Sequence, residues 1–312
     1  MMATKSLDAG LDELLTEARY SPDLRLDELN VTELATLMND RDATIAVAVG
    51  KALPSIVAAI EATVERMRAG GRLIYVGAGT SGRLGVLDAS EVPPTFGTPT
   101  DVVLGIIAGG PPAIVGAVEA AEDSDTDGAK DLVALDVGPL DTVVGIASSG
   151  RTPYVLGALH LARDRGALTI GLSCNPQAPI SDSVEHGIEI VVGPEILTGS
   201  TRLGAGTATK MVLNMFSTLT MVSLGKTYGT LMVDLRATNA KLHRRAMRIV
   251  TLATGADEHT ARTALHEADW HAKLAIAMIA TGLSAGKAKA ALDQADGHLR
   301  QVVPHTDSER RP

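Results

Sequence analysis

Five short apolar runs, at residues 73–76, 102–107, 142–147, 167–172 and 188–192, punctuate the first two thirds of the chain. They are rich in strand formers and lack polar alternation, the pattern of parallel strands buried on both faces. Helical spacings lie between them, at 113–121, 153–165 and, more weakly, 180–185. Strands alternating with helices predict an α/β fold built on a doubly wound five-stranded parallel sheet, with ligand loops at the carboxyl ends of its strands.

Helical periodicity flanks this region. Upstream, Leu11/Leu14/Leu15/Ala18 and Leu34/Leu37/Met38 mark two short helices parted by Ser21-Pro22. Then Ile45, Val49, Leu53, Ile56, Ile60, Val64 and Met67 predict one long amphipathic helix over 42–69, kinked at Pro54. Downstream, a long helix over 208–224 is followed by one at 242–253 and three short ones within 261–292. The expected division is an N-terminal helical segment at 1–60 packing on the core, a sheet domain at 61–254, a small helical subdomain at 255–303 and a disordered polar tail at 304–312.

Two turns carry candidate chemistry. The first strand runs into Gly77-Ala78-Gly79-Thr80-Ser81-Gly82, and the third into Ala147-Ser148-Ser149-Gly150-Arg151-Thr152-Pro153, with Pro153 suited to a first helical position. A small-residue turn between strand and helix offers backbone N–H groups to an anion, and hydroxyls and the helix dipole complete the cradle. The same device at two strand ends on one sheet edge points to a phosphorylated ligand. No Gly-Lys-Ser/Thr follows, so neither is a Walker loop. Gly77, Gly79 and Gly82 have G-x-G-x-x-G spacing, but the acidic residue of a dinucleotide fold belongs about 20 residues on. Here Glu91 comes early, before Val92-Pro93-Pro94, at the far end of the helix that starts at the loop, a placement suited to chemistry more than to ribose recognition. Arg83 and Arg151 follow the two loops, either as ligand contacts or as partners of surface carboxylates. A third small-residue loop, 199–207, leads into the 208–224 helix, whose first turn carries Lys210. A cation there opposes the helix dipole, which implies a carboxylate partner or an anionic ligand.

Composition narrows the class. Apolar residues make up 45% of the 312, enough for a substantial core, while a net charge of −9 and a pI near 5.4 argue against nucleic acid or an anionic membrane as the main partner. The single cysteine, Cys174, rules out an internal disulfide and a cysteine-cluster metal site, suits a reducing cytoplasm, and reads as core filling at a strand end. His160, His186, His243, His266 and His271 lack metal-ligand spacing. The first residues lack an apolar signal core, and the apolar stretch 205–224, interrupted by Lys210, Asn214 and several hydroxyls, reads as a buried helix and not a membrane span.

Longer motifs carry a specific resemblance. GRLIYVGAGTSGRLGVLDASEVPPTFG, IIAGG followed by AVEAAEDS, SGRTPYV, GPEILTGSTR, GTATKMVLNM and LMVDLRATNAKL together resemble the N-acetylmuramic acid 6-phosphate etherases of the sugar isomerase (SIS) superfamily, over about 11–299. The resemblance implies a flavodoxin-like SIS sheet and a cytoplasmic homodimer with active sites near the subunit interface, with no metal and no cofactor. It implies removal of D-lactate from N-acetylmuramic acid 6-phosphate, leaving N-acetylglucosamine 6-phosphate, in peptidoglycan recycling. It assigns Glu91, in ASEVPP, and Glu122, in AAEDS, as the acid/base pair, the first as proton donor. Without it, Glu122 reads as a solvated acidic helix end.

Once the sugar ring opens, the C1 aldehyde acidifies the proton at C2. Elimination then needs a base at C2 and an acid for the departing lactate oxygen, and the unsaturated aldehyde takes water at C3; two carboxylates with pKa values pushed apart would serve. Thr80, Ser81, Ser148, Ser149 and Thr152 are the expected phosphate contacts, and Ser90 the expected support of Glu91. Three positions depart from the family pattern: Gly204 where it generally has Lys, Tyr20 in place of an Asn, and Val92 in place of a Cys. Loss of the cation at 204 would weaken anion binding unless Lys210 or Arg202 compensates. A non-catalytic sugar-phosphate sensor like the glucokinase regulatory proteins would be about twice as long with two such domains. An aldose–ketose isomerase would need no proton donor facing C3, and an SIS-type transcription regulator would need a basic N-terminal helix-turn-helix where 7–42 is acidic.

Overall fold

The apolar run at 73–77 forms the buried strand β1 (Leu73–Gly77), flanked in register by β2 (Val103–Ile107) on one side and β3 (Thr142–Ile146) on the other. With β4 (Leu168–Ser173) and β5 (His186–Glu189) these make a parallel sheet of order β2-β1-β3-β4-β5. This computed structural model describes residues 14–235 and 240–303. The chain divides into two units, the first comprising residues up to 90 and 101–217, the second 91–100 and 218 onward.

In the first unit, α1 (Val31–Asp42), α2 (Ile45–Lys51) and α3 (Leu53–Arg68) precede the sheet, and α4 (Gly79–Phe96), α5 (Pro112–Val115), α6 (Asp125–Ala134), α7 (Pro153–Asp164) and α8 (Pro179–Asp182) connect its strands. The helix α9 (Gly204–Ser223) follows β5. Both sheet faces are covered, as the unbroken apolar strands require. Ile74, Val76 and Val143 pack with Leu132, Tyr154, Val155 and Ala158 of α6 and α7. Tyr75 points the other way, against Gly85 of α4, where an added Cβ would lie 2.9 Å from the Tyr75 Cβ. At the opposite end of these strands Arg72 grips Asp141 through Nε at 3.0 Å and Nη2 at 2.7 Å. Burial pushes the Asp141 carboxyl up, but Arg72 and the Gly138 N–H outweigh it and hold the group below its usual range.

The second unit has its own core. A short hairpin, β6 (Thr227–Tyr228) and β7 (Leu231–Met232), leads to α10 (Ala240–Thr254), α11 (Glu258–Glu267), α12 (Ala272–Thr281), α13 (Ala285–Gln294) and α14 (Leu299–Val302). Val233, Leu235, Val250, Leu265 and Ile276 are buried together, and buried Lys273 donates to Asp234 at 2.6 Å and to the Gly225 carbonyl at 2.8 Å.

Several expectations needed correction. The long helix over 42–69 is two helices: Pro54 sits in the first turn of α3, and the path bends by 59° between Val31–Lys51 and Leu53–Arg68. Residues 14–18 form a turn where a helix was expected; Leu11 and the tail from 304 lie outside the described residues. The 113–121 helix stops at Val115 because Arg83 draws the carbonyls of Ala113, Ile114 and Gly116 to its guanidinium. Strand β5 lies two residues earlier than the 188–192 run, α9 starts at Gly204, and α6 was not anticipated, although Ser124 caps it by accepting from the Asp127 N–H. Among the described residues no single helix is long and apolar enough to cross a membrane.

Helices α6 and α7 touch backbone to backbone. A Cβ on Gly128 would lie 1.9 Å from the Tyr154 carbonyl oxygen, so the pair cannot close with alanine there. Gly128→Ala is expected to destabilise the fold by about 1–3 kcal/mol through overpacking, read as a lowered urea midpoint; an unchanged midpoint would show that the helices part at no cost.

Candidate active site

The order β2-β1-β3 makes the carboxyl ends of β1 and β3 the point where the strand order reverses, the crevice in which open α/β sheets bind ligands. The two predicted loops flank it. After β1 the chain turns straight into α4, so Gly79, Thr80 and Ser81 open its first turn, where backbone N–H groups lack partners within the helix, while the Gly82 N–H already donates to the Ala78 carbonyl at 3.2 Å. This tight entry depends on glycine: a Cβ on Gly77 would meet the Gly82 nitrogen at 2.6 Å, and one on Gly82 the Gly77 oxygen at 2.7 Å. Ser81 is buried and Thr80 half-buried.

After β3, Gly150 N–H closes a turn onto the Ala147 carbonyl at 2.8 Å, and the Arg151 N–H donates to Ser149 Oγ at 3.2 Å. The Ser148 carbonyl accepts from the Cys174 N–H at 3.0 Å and from Asn175 Nδ2 at 2.9 Å, which pins the loop to the end of β4. Ser148, Ser149 and Thr152 are half-buried, with Thr152 at the start of α7. The structure separates the two arginines. Arg83 is occupied by the three loop carbonyls, whereas Arg151 Nε is buried with no hydrogen-bond partner among the described residues. Cys174 is buried at the strand end, its thiol pushed up to about 12 by burial.

Glu122 lies in the 3-10 turn Ala121–Asp123, exposed, and lines a cavity of about 260 Å³ together with Gly79, Arg83, Ala108, Gly116 and Val118. The turn is entered through Ala120 at φ 59°, a left-handed conformation that costs about 1–2 kcal/mol for a residue with a Cβ and that persists where surrounding structure imposes it. The helix dipole of α4 and Glu122 therefore face one cavity. Thr80, Ser81, Ser148, Ser149 and Thr152 are not among its lining residues.

Glu91 does not end α4. The helix runs through Pro93 and Pro94 to Phe96, and Glu91 stands exposed on the stretch that belongs to the second unit. The prolines remove the N–H donors that would reach the carbonyls of Ala89 and Ser90, and the Thr95 hydroxyl donates to the Glu91 carbonyl at 2.7 Å. Ser90 does not reach Glu91: its hydroxyl donates back to the Leu87 carbonyl at 2.7 Å.

Two buried carboxylates were not singled out from sequence. Glu195 accepts from the N–H groups of Gly204 at 2.9 Å and Ala205 at 2.8 Å, capping α9. Asp88 accepts from Tyr75 at 2.9 Å and from Ser217 at 3.1 Å. Lys210 lies in the second turn of α9, because that helix starts four residues earlier than expected. Asp88 stands one helical turn beyond Leu84, directly after Leu87, and nothing in that setting distinguishes it, since an isolated aspartate in a helix reads as solvated.

Fold and crevice define a protein with an SIS domain, and the comparisons agree: the SIS domain family matches residues 118–220, and the glucokinase regulatory protein N-terminal SIS domain family matches 55–163. The N-acetylmuramic acid 6-phosphate etherase of Streptomyces avermitilis is 58% identical over 273 residues, covering 87% of this chain and 88% of its own. Those of Rubrobacter xylanophilus and Mycolicibacterium smegmatis are 58% and 57% identical, each over 86% of this chain and 90% of the relative. This chain belongs to the N-acetylmuramic acid 6-phosphate etherase family.

Burial pushes the Asp88 carboxyl up to about 6, against the opposing effects of Tyr75, Ser217 and Lys210. The ordinary value is near 4, so the folded protein holds this proton more tightly than the unfolded chain. The group is neutral in both states below about pH 4, and its destabilising contribution grows as pH rises through 4 to 6, reaching about 3 kcal/mol. Asp88→Asn is expected to remove this dependence. Urea unfolding from pH 4 to pH 7 should show the variant gaining on the wild type as pH rises, and parallel curves would contradict it.

Proposed function

We propose that this chain is a carbon–oxygen lyase that cleaves the C3 lactyl ether of N-acetylmuramic acid 6-phosphate, in cytoplasmic recycling of peptidoglycan sugars, and that it acts as a homodimer. The observation that carries the activity is 57–58% identity, across nearly the full length of both chains, with proteins of that name. A sensor or an aldose–ketose isomerase is disfavoured by the same relatives.

In this reading the sugar phosphate enters the β1–β3 crevice. The first-turn N–H groups of α4, with Thr80, Ser81, Ser148, Ser149, Thr152 and Arg151 Nε, hold its phosphate. Ring opening exposes the C1 aldehyde. Glu122 takes the proton from C2, the electron pair left behind forms the C2–C3 double bond, and the C3–O bond breaks as Glu91 protonates the lactate oxygen. Glu91 then removes a proton from water as it adds to C3, and Glu122 returns its proton to C2. The aldehyde supplies the acidification at C2, so every proton in the cycle is accounted for by the two carboxylates. Each assisted transfer is worth roughly 10²–10⁴ in rate.

Glu122→Gln is expected to suppress both lactate release and exchange of the C2 proton with deuterated water. Glu91→Gln should abolish lactate release while leaving that exchange detectable by NMR; exchange persisting in Glu122→Gln would reverse the assignment of the base. Products formed in ¹⁸O water should be unlabelled lactate and N-acetylglucosamine 6-phosphate carrying one ¹⁸O at C3, and label in the lactate would exclude elimination. Ser149→Ala should raise KM, and an unaltered KM would remove Ser149 from the phosphate site.

A further inference from the structure

The lactyl carboxylate, the second anionic group of the substrate, has no partner among the residues assigned to the phosphate and the proton transfers, and Lys210 is an exposed cation of the first unit. Helices α4 and α9 run side by side in the same direction. A Cβ on Gly206 would lie 3.5 Å from Thr80 Cγ2, and eight residues further along both helices Asp88 meets Asn214. Lys210 stands midway on the same face of α9, one turn beyond Gly206. Its side chain is exposed and forms no ion pair among the described residues.

The ammonium is nonetheless held in place. With the Asn214 amide oriented to satisfy both neighbours, Lys210 Nζ donates to its Oδ1 at 2.7 Å, and its Nδ2 donates to Asp88 Oδ1 at 3.2 Å. Asp88 is fixed in turn by Tyr75 of the sheet and by Ser217. A carboxylate accepts only, so an ionised Asp88 fixes the amide nitrogen inward and its oxygen outward, toward Lys210. The amide transmits orientation while keeping the carboxylate out of direct contact with the ammonium, so two of the three Nζ donors remain for a ligand.

Two neighbouring groups are already committed. Arg83 is bound to three carbonyls, and the N-terminal N–H groups of α9 are taken by Glu195. We infer that Lys210 receives the lactyl carboxylate of the substrate and that Asp88, acting through Asn214, is the residue that positions it. This inference rests on the etherase reading and adds a contact to it.

The test is steady-state kinetics of the full chain on N-acetylmuramic acid 6-phosphate, with N-acetylglucosamine 6-phosphate, which carries the phosphate but no lactyl group, as competitive inhibitor. Lys210→Met is expected to raise KM about tenfold or more, the loss of one charge-assisted hydrogen bond, and to leave the inhibitor's Ki unchanged. Asn214→Ala, at an exposed position, and Asp88→Asn should each raise KM by a smaller factor with kcat retained and Ki unchanged. An unaltered KM in Lys210→Met overturns the inference. So does a Ki that rises in step with KM, since Lys210 would then serve the phosphate. A fall in kcat at constant KM in Asn214→Ala and Asp88→Asn removes them as positioning residues. No lactate from the wild type overturns the functional reading and this inference with it, whereas lactate from the wild type with KM unaltered in Lys210→Met overturns this inference alone.

Discussion

Strands β1 and β3 pair in parallel although the chain visits β2 between them, and the ligand-facing architecture follows from that pairing. Connections leave the two strands in opposite directions, so the loops after them cannot cover one another and a crevice stays open at their carboxyl ends. The sheet must also be covered on both faces, which brings α4 down onto β1 within one residue of the strand end. Only glycines permit that descent: Gly77 and Gly82 meet main chain to main chain, and Gly85 lets the helix pass close to Tyr75. The free N–H groups of the first turn of α4 are therefore aimed at the crevice by packing in the core, before any ligand is considered.

The same packing explains how an acidic chain can hold an anion. The net charge of −9 sets the long-range field, but local dipoles and a few fixed cations decide binding in the crevice. Buried acids organise those cations and dipoles. Asp141 locks the entry of β1 to that of β3 through Arg72, Glu195 caps α9, and Asp88 joins β1, α4 and α9. Each is buried with hydrogen-bond donors aimed at it, as a charge withdrawn from water requires. Asp88 differs in having neutral donors, which leaves desolvation dominant and raises its pKa, whereas the guanidinium beside Asp141 reverses the sign.

The strands and the two Ser/Thr loops were legible because buried parallel strands leave unbroken apolar runs and tight strand–helix turns demand glycine. The helix corrections have two causes, a tertiary contact that local spacing does not contain and prolines whose effect periodicity does not show. Arg83 ends α5 by capturing carbonyls 30 or more positions away in the chain. Pro54 opens α3 where periodicity alone continued through it, and Pro93-Pro94 sit inside α4 although their chemistry forecasts an end. Glu122 was the hardest residue to place without a family resemblance, since Glu-Asp-Ser-Asp carries the composition of a solvated helix end. What distinguishes it is the left-handed Ala120 that turns it toward the cavity of Gly79, and no residue type announces that φ. Asp88 was invisible for the complementary reason, since its partner Ser217 is distant in sequence, and Glu195 because its partners are backbone N–H groups that no residue type announces.

Gly204 shows how a departure from the family pattern becomes intelligible only with the packing in view. A lysine there would place its Cβ 3.0 Å from Glu195 Oε2, with Ile45 and Arg41 at 3.2 and 3.3 Å, so its stem would start against a buried carboxylate in a filled space. Its charge would be drawn to Glu195 before any ligand. With glycine, Glu195 keeps the N–H groups of Gly204 and Ala205 and the favourable end of the α9 dipole, and Arg41 holds the neighbouring carbonyls of Val192 and Pro194. The buried acid thus remains satisfied without the lysine, which makes the loss tolerable for the fold. It also changes what the loss means for the site: a cation already committed to Glu195 contributes little to an incoming carboxylate, whereas Lys210, restrained by a neutral amide, keeps its charge available to one.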